Sequence, residues 1–164
     1  MGTSAIPHFG NLTLNAQTRN LLLYWLPALA WAALITVFST GIFSAEHTGR
    51  ILRLLLEWLL GAIPEPRFDF IHFLVRKAAH LTVYAALSAL CFRARRGPRS
   101  GWQPNWALLA LLVSMLVALG DEFHQSFVPS RTGTPWDVLL DSFGALLAQL
   151  VIALLARRGT HSPA

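Results

Sequence analysis

Charge is scarce in this sequence. Asp, Glu, Lys and Arg make up 13% of its 164 residues, about half of the roughly 25% typical of a soluble domain. Too few charged side chains exist to coat a compact water-soluble globule, so soluble catalysis is excluded. Cysteine is nearly absent: Cys91 stands alone, which excludes an internal disulfide and a cysteine-based zinc cluster. Internal repeats and low-complexity tracts are absent too. Acidic residues are outnumbered, 8 against 13 Lys and Arg, for a net charge of +5. That surplus does not make a nucleic-acid binder, because the basic residues sit beside apolar runs, where they meet lipid headgroups.

Apolar residues are what the sequence has in quantity, 54% of the chain, with a mean hydropathy of +0.50. Four stretches stand out, at residues 21–38, 70–92, 106–122 and 138–156. A spanning helix needs about 20 mostly apolar residues, and each stretch is long enough, the third only if it continues past Asp121 and Glu122. The first is read as a retained helix rather than a signal peptide, since it is long and carries Trp25 and Trp31. Residues 47–62 place Arg50, Arg53, Glu57 and Gly61 on a narrow polar stripe against a wide apolar face. That pattern fits a helix lying in the membrane interface; a buried packing helix has the same periodicity. The expected fold is therefore all-α: a polytopic membrane bundle of about four transmembrane helices plus one interfacial amphipathic helix. The membrane domain is expected over residues 19–158, between solvated tails at 1–18 and 159–164. Trp25, Trp58, Trp102, Trp106 and Trp136 read as interface anchors, and His8, His47, His72 and His161 as interfacial or solvated.

Orientation follows from Lys and Arg in the flanks. Arg19, Arg93, Arg95, Arg96, Arg99, Arg157 and Arg158 fall on one side, and Arg50, Arg53, Arg67 and Arg131 on the other. The dense cluster at 93–99 dominates, so both termini are expected on the cytoplasmic side.

The ionisable residues inside the spans carry the functional information, because each costs at least about 2.5–3.5 kcal/mol at the bilayer centre. At about 1.5 Å of rise per residue from the cytoplasmic ends, Lys77, His80, Asp121, Glu122 and Asp141 all lie about 18–24 Å up, and Asp137 about 30 Å up. Against a hydrocarbon core of roughly 30 Å, three helices deliver charge to one level in the outer leaflet. Lys77, His80 and Tyr84 share a helical face. Asp121, His124 and Gln125 share another, with Glu122 about a hundred degrees to one side. Asp137 and Asp141 are one turn apart, and Gly144-x-x-x-Ala148 below them lets a neighbouring backbone approach closely.

These residues also form a recognisable pattern. Residues 76–84, Arg76-Lys77-Ala78-Ala79-His80-Leu81-Thr82-Val83-Tyr84, resemble the Lys-x-x-His-x-x-x-Tyr element of the VanZ-like membrane proteins. Asp121-Glu122-Phe123-His124-Gln125, running on to Pro129-Ser130-Arg131, resembles their acidic-His-Gln helix end and Pro-x-Arg loop. Thr134-Pro135-Trp136-Asp137, then Asp141 and Gly144, resemble a third element. Ser39-Thr40 stands where a serine pair is common, and Ala148 where glycine is frequent. The resemblance covers nearly the whole chain. It implies a small polytopic membrane protein of the cell envelope, whose founding relative lowers susceptibility to teicoplanin, a lipidated glycopeptide. It supplies no mechanism.

Three readings of the polar set stay open. In the first, a membrane enzyme acts on a lipid or lipid-linked precursor, with His80, Glu122, His124 and Asp137 as acid–base candidates. Arg76, Lys77, Tyr84, Asp121, Gln125, Arg131 and Asp141 would bind the headgroup, Arg131 and Lys77 holding an anion. In the second, the same residues only recognise a lipid or lipopeptide, or a partner subunit. In the third, His80, Glu122, His124, Asp137 or Asp141 hold a metal, but no His-Glu-x-x-His spacing is present and no cofactor is expected. Against all three, the charges could simply neutralise each other, as a Lys77–Asp141 or Arg131–Asp137 pair.

Overall fold

The computed structural model describes residues 15–40, 45–129 and 133–159. Arg131, His8 and His161, and most of both expected tails, lie outside the described residues. Five helices follow in chain order: α1 (Ala16–Phe38), α2 (Ala45–Leu60), α3 (Glu65–Arg96), α4 (Pro104–Gln125) and α5 (Pro135–Gly159). Among the described residues there is no strand.

The helix ends follow local chemistry. Pro66 sits in the first turn of α3 and Pro104 in that of α4, where a missing N–H costs nothing. Helix α3 closes on Gly97 at φ 61°, whose N–H donates to the Arg93 carbonyl; a residue without Cβ suits that conformation. Arg93, Arg95 and Arg96 fill its last turn, complementing the helix dipole. The Thr134 hydroxyl oxygen accepts from the Asp137 N–H at 3.3 Å and its hydroxyl donates to the Asp137 carboxylate at 3.1 Å. The Thr134 side chain thus caps the first turn of α5.

Helix α3 is the hub, packing on α1, α4 and α5, with a slighter contact to α2. Tyr84, Leu87, Cys91 and Phe92 of α3 meet Ala28 and Ile35 of α1 and Trp106, Ala107, Ala110 and Ala118 of α4. On α4 the buried positions Trp106, Ala110, Ser114, Ala118 and Glu122 recur every fourth residue, a small-residue stripe that admits the backbone of α3. The Trp31 indole N–H of α1 reaches the Val83 carbonyl at 3.0 Å. Helices α3 and α5 run parallel, with matched partners down their length: Lys77 with Asp137, His80 with Asp141, Leu81 with Gly144, and Ser88 with Gln149. Gly144 is required there, since a Cβ would stand 2.3 Å from the Leu81 carbonyl oxygen. The Gln149 amide donates to the Ser88 carbonyl at 3.1 Å and to its hydroxyl at 2.8 Å.

Three helices are long and apolar enough to cross a membrane, within Leu21–Phe38, Pro104–Gln125 and Pro135–Arg158. That is one fewer than the expected four. The missing one is α3, whose 32 residues span about 48 Å but carry Arg76, Lys77 and His80 mid-length. The outward faces are apolar, with Leu22, Leu26, Leu116, Leu119, Leu150 and Leu154 exposed, as lipid contact demands. Helix α2 exposes Ile51, Leu54, Leu55, Trp58 and Leu59, so it is not a buried packing helix. It is tethered by the Arg53–Glu65 ion pair, by the Arg53 guanidinium 4.7 Å from the Phe68 ring centroid, and by Gly49 under His72. Trp58 and Trp136 are exposed, as interface anchors would be, but Trp106 is 1% exposed. It is a core residue, edge-on to Phe92.

Candidate functional site

The parallel register of α3 and α5 sets two rungs of charge at the upper end of the bundle. In the first rung, Lys77 pairs with Asp137, whose other carboxylate oxygen accepts from the Thr134 hydroxyl. In the second, His80 Nδ1 lies 3.1 Å from Asp141 Oδ1. The pairing thus differs by one turn from the Lys77–Asp141 alternative. Asp137, expected among the acid–base residues, is held by Lys77 and Thr134; Asp141 takes the position beside His80.

The third helix adds Glu122. Set to one side of Asp121 by helical facing, Glu122 is in fact the inward residue, 5% exposed. One of its carboxylate oxygens accepts from the Thr134 N–H at 2.9 Å. Gly133 makes that approach possible: a Cβ there would meet the Glu122 carbonyl oxygen at 2.3 Å. Single donor atoms of His80, Glu122 and Asp141 all lie within 4.8 Å of one another. Glu122 Oε1 and Asp141 Oδ2 are buried and without a hydrogen-bond partner among the described residues.

The remaining candidates surround this centre. Tyr84, 1% exposed, sits a turn below His80. Asp121 accepts a 2.9 Å hydrogen bond from the Gln125 amide. His124 turns away from His80 towards α1, its Nδ1 3.0 Å from the Ser39 hydroxyl, so the two histidines do not form one site. Arg76 has no ion pair among the described residues and lines a cavity of about 400 Å³.

That cavity lies between α1, α2, α3 and α4. Its wall is apolar over Ile35, Leu52, Val75 and Val83, and polar where Arg76, His80, Asp121 and Gln125 enter it. His72, read from the sequence as interfacial or solvated, also lines it. Ser39, 2% exposed, borders the cavity as well. Sequence reasoning gave Ser39 and Thr134 no role in the site. The signal for Thr134 was its spacing to Asp137, and that for Ser39 was its place at the end of a span on the level of the acids.

A family model described as VanZ/LLP1 matches residues 23–156. The chain belongs to the VanZ/LLP1 family. The matched segment contains every member of the polar cluster and all five helices except the outermost turns of α1 and α5. No curated protein and no solved structure matches the chain significantly. With three span-capable helices, this VanZ/LLP1 chain is a membrane protein.

Proposed function

We propose that this protein binds or modifies the headgroup of a lipid or lipid-linked precursor at the cell envelope, reached from the outer leaflet. The observation that carries the reading is the cavity of about 400 Å³, lined mostly by apolar side chains and also by Arg76, His80 and Asp121. An amphiphile has the same division. Its acyl chain would follow Ile35, Leu52 and Val83, and its anionic headgroup would meet the guanidinium of Arg76. Arg131 is placed with it on sequence grounds alone. The acid–base group would be His80, oriented by Asp141, with Glu122 beside it.

The same reading makes α3 a fourth span. It runs parallel to α5, with Lys77 and His80 paired to Asp137 and Asp141 of α5 and Arg76 lining the cavity. With four crossings both termini share the cytoplasmic side, as the Arg93–Arg99 cluster requires. The exposed apolar face of α2 then lies in the outer interface over the cavity mouth. Reduced glycopeptide susceptibility would follow if the headgroup belongs to a cell-wall precursor.

The test is comparative mass spectrometry of envelope lipids and lipid-linked precursors from cells expressing the wild type, His80→Ala, Arg76→Gln or nothing at matched levels. A species that appears or disappears only with the wild type is the expected result and gives the substrate class. Unchanged chemistry, with a teicoplanin phenotype lost in both variants, would leave recognition without catalysis. Unchanged chemistry and phenotype would refute the proposal.

A further inference from the structure

We propose that His80, Glu122 and Asp141 form a divalent-cation site of the zinc or manganese class. Each comes from a different helix, α3, α4 and α5, and one imidazole with two carboxylates is a donor set such ions accept. All three donor atoms lie within 4.8 Å of one another. A point between three atoms so spaced lies at most about 2.8 Å from each, so no more than about 0.7 Å of inward movement would reach the roughly 2.1 Å of a metal–ligand bond. Side-chain rotation supplies that much.

Burial makes the argument more than proximity. Glu122 is 5% and Asp141 0% exposed, and each keeps one buried oxygen without a hydrogen-bond partner among the described residues. Unpaired buried carboxylate oxygens are costly. Lys77 is paired with Asp137, and neither it nor Arg76 makes an ion pair with Glu122 or Asp141 among the described residues. A dication would balance two carboxylates and satisfy both oxygens at once. The Thr134 N–H holds the other Glu122 oxygen at 2.9 Å, the outer-shell contact that orients ligands in metal sites. His80 lines the cavity, so a three-ligand ion would keep its open position towards that space, as catalytic rather than structural sites do. Any role of the ion towards a headgroup rests on the function proposed above, with His80 then a ligand rather than the acid–base group; the binding of the ion does not rest on that function.

The experiment uses the full chain purified without a polyhistidine tag, stripped with EDTA and titrated with Zn²⁺, Mn²⁺ and Co²⁺, reading bound metal per chain. One ion per chain is expected, weakened at least about tenfold by Glu122→Gln and by Asp141→Asn. His124→Ala, on the same helix end but turned to Ser39, is expected to bind normally. No saturable binding by the stripped wild type up to about 1 mM would overturn the site, as would full binding in both carboxylate variants. Should a variant fail to fold, Co²⁺ absorption of the wild type decides: bands of a protein-bound ion displaced by Zn²⁺ support the site, and the spectrum of aqueous Co²⁺ overturns it. One ion per chain together with an unchanged lipid profile would keep the site and refute only the enzymatic reading.

Discussion

Gly144→Ala tests the packing on which the whole site depends. In an ordinary helix the change is favourable, by at most about 1 kcal/mol. Here the new Cβ would stand 2.3 Å from the Leu81 carbonyl oxygen and 3.0 Å from the Leu81 Cα and carbonyl carbon. Both neighbours are backbone, so no rotamer can relieve the contact and α3 and α5 must part by at least about 0.7 Å. Overpacking of this kind costs about 1–3 kcal/mol; set against the helix gain, it leaves a net loss of about 0–2 kcal/mol, and the variant lies about 1–3 kcal/mol, or about 2–12 °C in Tm, below an unhindered Gly→Ala change. The same displacement would stretch the His80–Asp141 contact from 3.1 Å to about 3.8 Å, beyond a hydrogen bond. The assay is thermal unfolding in detergent micelles, with Gly120→Ala as control. Gly120 is exposed on α4 and a Cβ there meets nothing within 4 Å, so that variant should be as stable as the wild type or more so. A Gly144→Ala protein as stable as the Gly120→Ala control would refute the close α3–α5 approach.

Three further outcomes are expected. Lys77→Met and Asp137→Leu should each destabilise by about 1–2 kcal/mol, less than a fully buried pair because the Lys77 side chain stays 35% exposed; the double variant Lys77→Met/Asp137→Leu should recover most of the loss in the same unfolding assay, and additive losses would show that the pair is not coupled. In bilayers containing brominated acyl chains, single-tryptophan variants retaining Trp58 or Trp136, 80% and 75% exposed, should be quenched, whereas one retaining Trp106, 1% exposed, should not; strong quenching of Trp106 would contradict the core. The hydrogen bond from Arg53 holds the Glu65 carboxyl below its ordinary value of 4.5. Its folded-state value is depressed, so the tether of α2 to α3 is present at neutral pH and is lost as the pH falls below 4.5 through that lower value. Hydrogen exchange over residues 45–60 should then accelerate relative to α3, Glu65→Gln should reproduce the effect at neutral pH, and an unchanged exchange ratio would exclude the tether.

Much of this arrangement was legible in the sequence, and the misreadings share a cause. Helical rise placed Lys77, His80, Glu122 and Asp141 at one depth, and Gly144 announced a close approach; both are properties of single helices. The register between helices is not, so the pairing came out one turn away, with Lys77 on Asp137. The inward turn of Glu122 was available but unread. Trp106, Ala110, Ser114, Ala118 and Glu122 recur at steps of four, and a stripe of small residues on a membrane helix marks the face that meets a neighbour. Following that stripe in both directions buries Trp106 at one end and Glu122 at the other, which corrects two assignments with one observation.

The shortfall in span-capable helices has a related origin. Hydropathy scores composition, but a bilayer meets only the outward face of a helix in a bundle. On α3 the outward face is Phe70, Phe73 and Leu74, all exposed, while Lys77 and His80 are directed to Asp137 and Asp141. The residues that disqualify α3 by composition are those that give it its partners. A helix with charges of this kind would not be stable in lipid alone, and α5 would lose Asp141 to an uncompensated burial without α3. Membership of the bundle and possession of the site are therefore one requirement: the cost of burying the polar cluster is met only when α3, α4 and α5 close on one another.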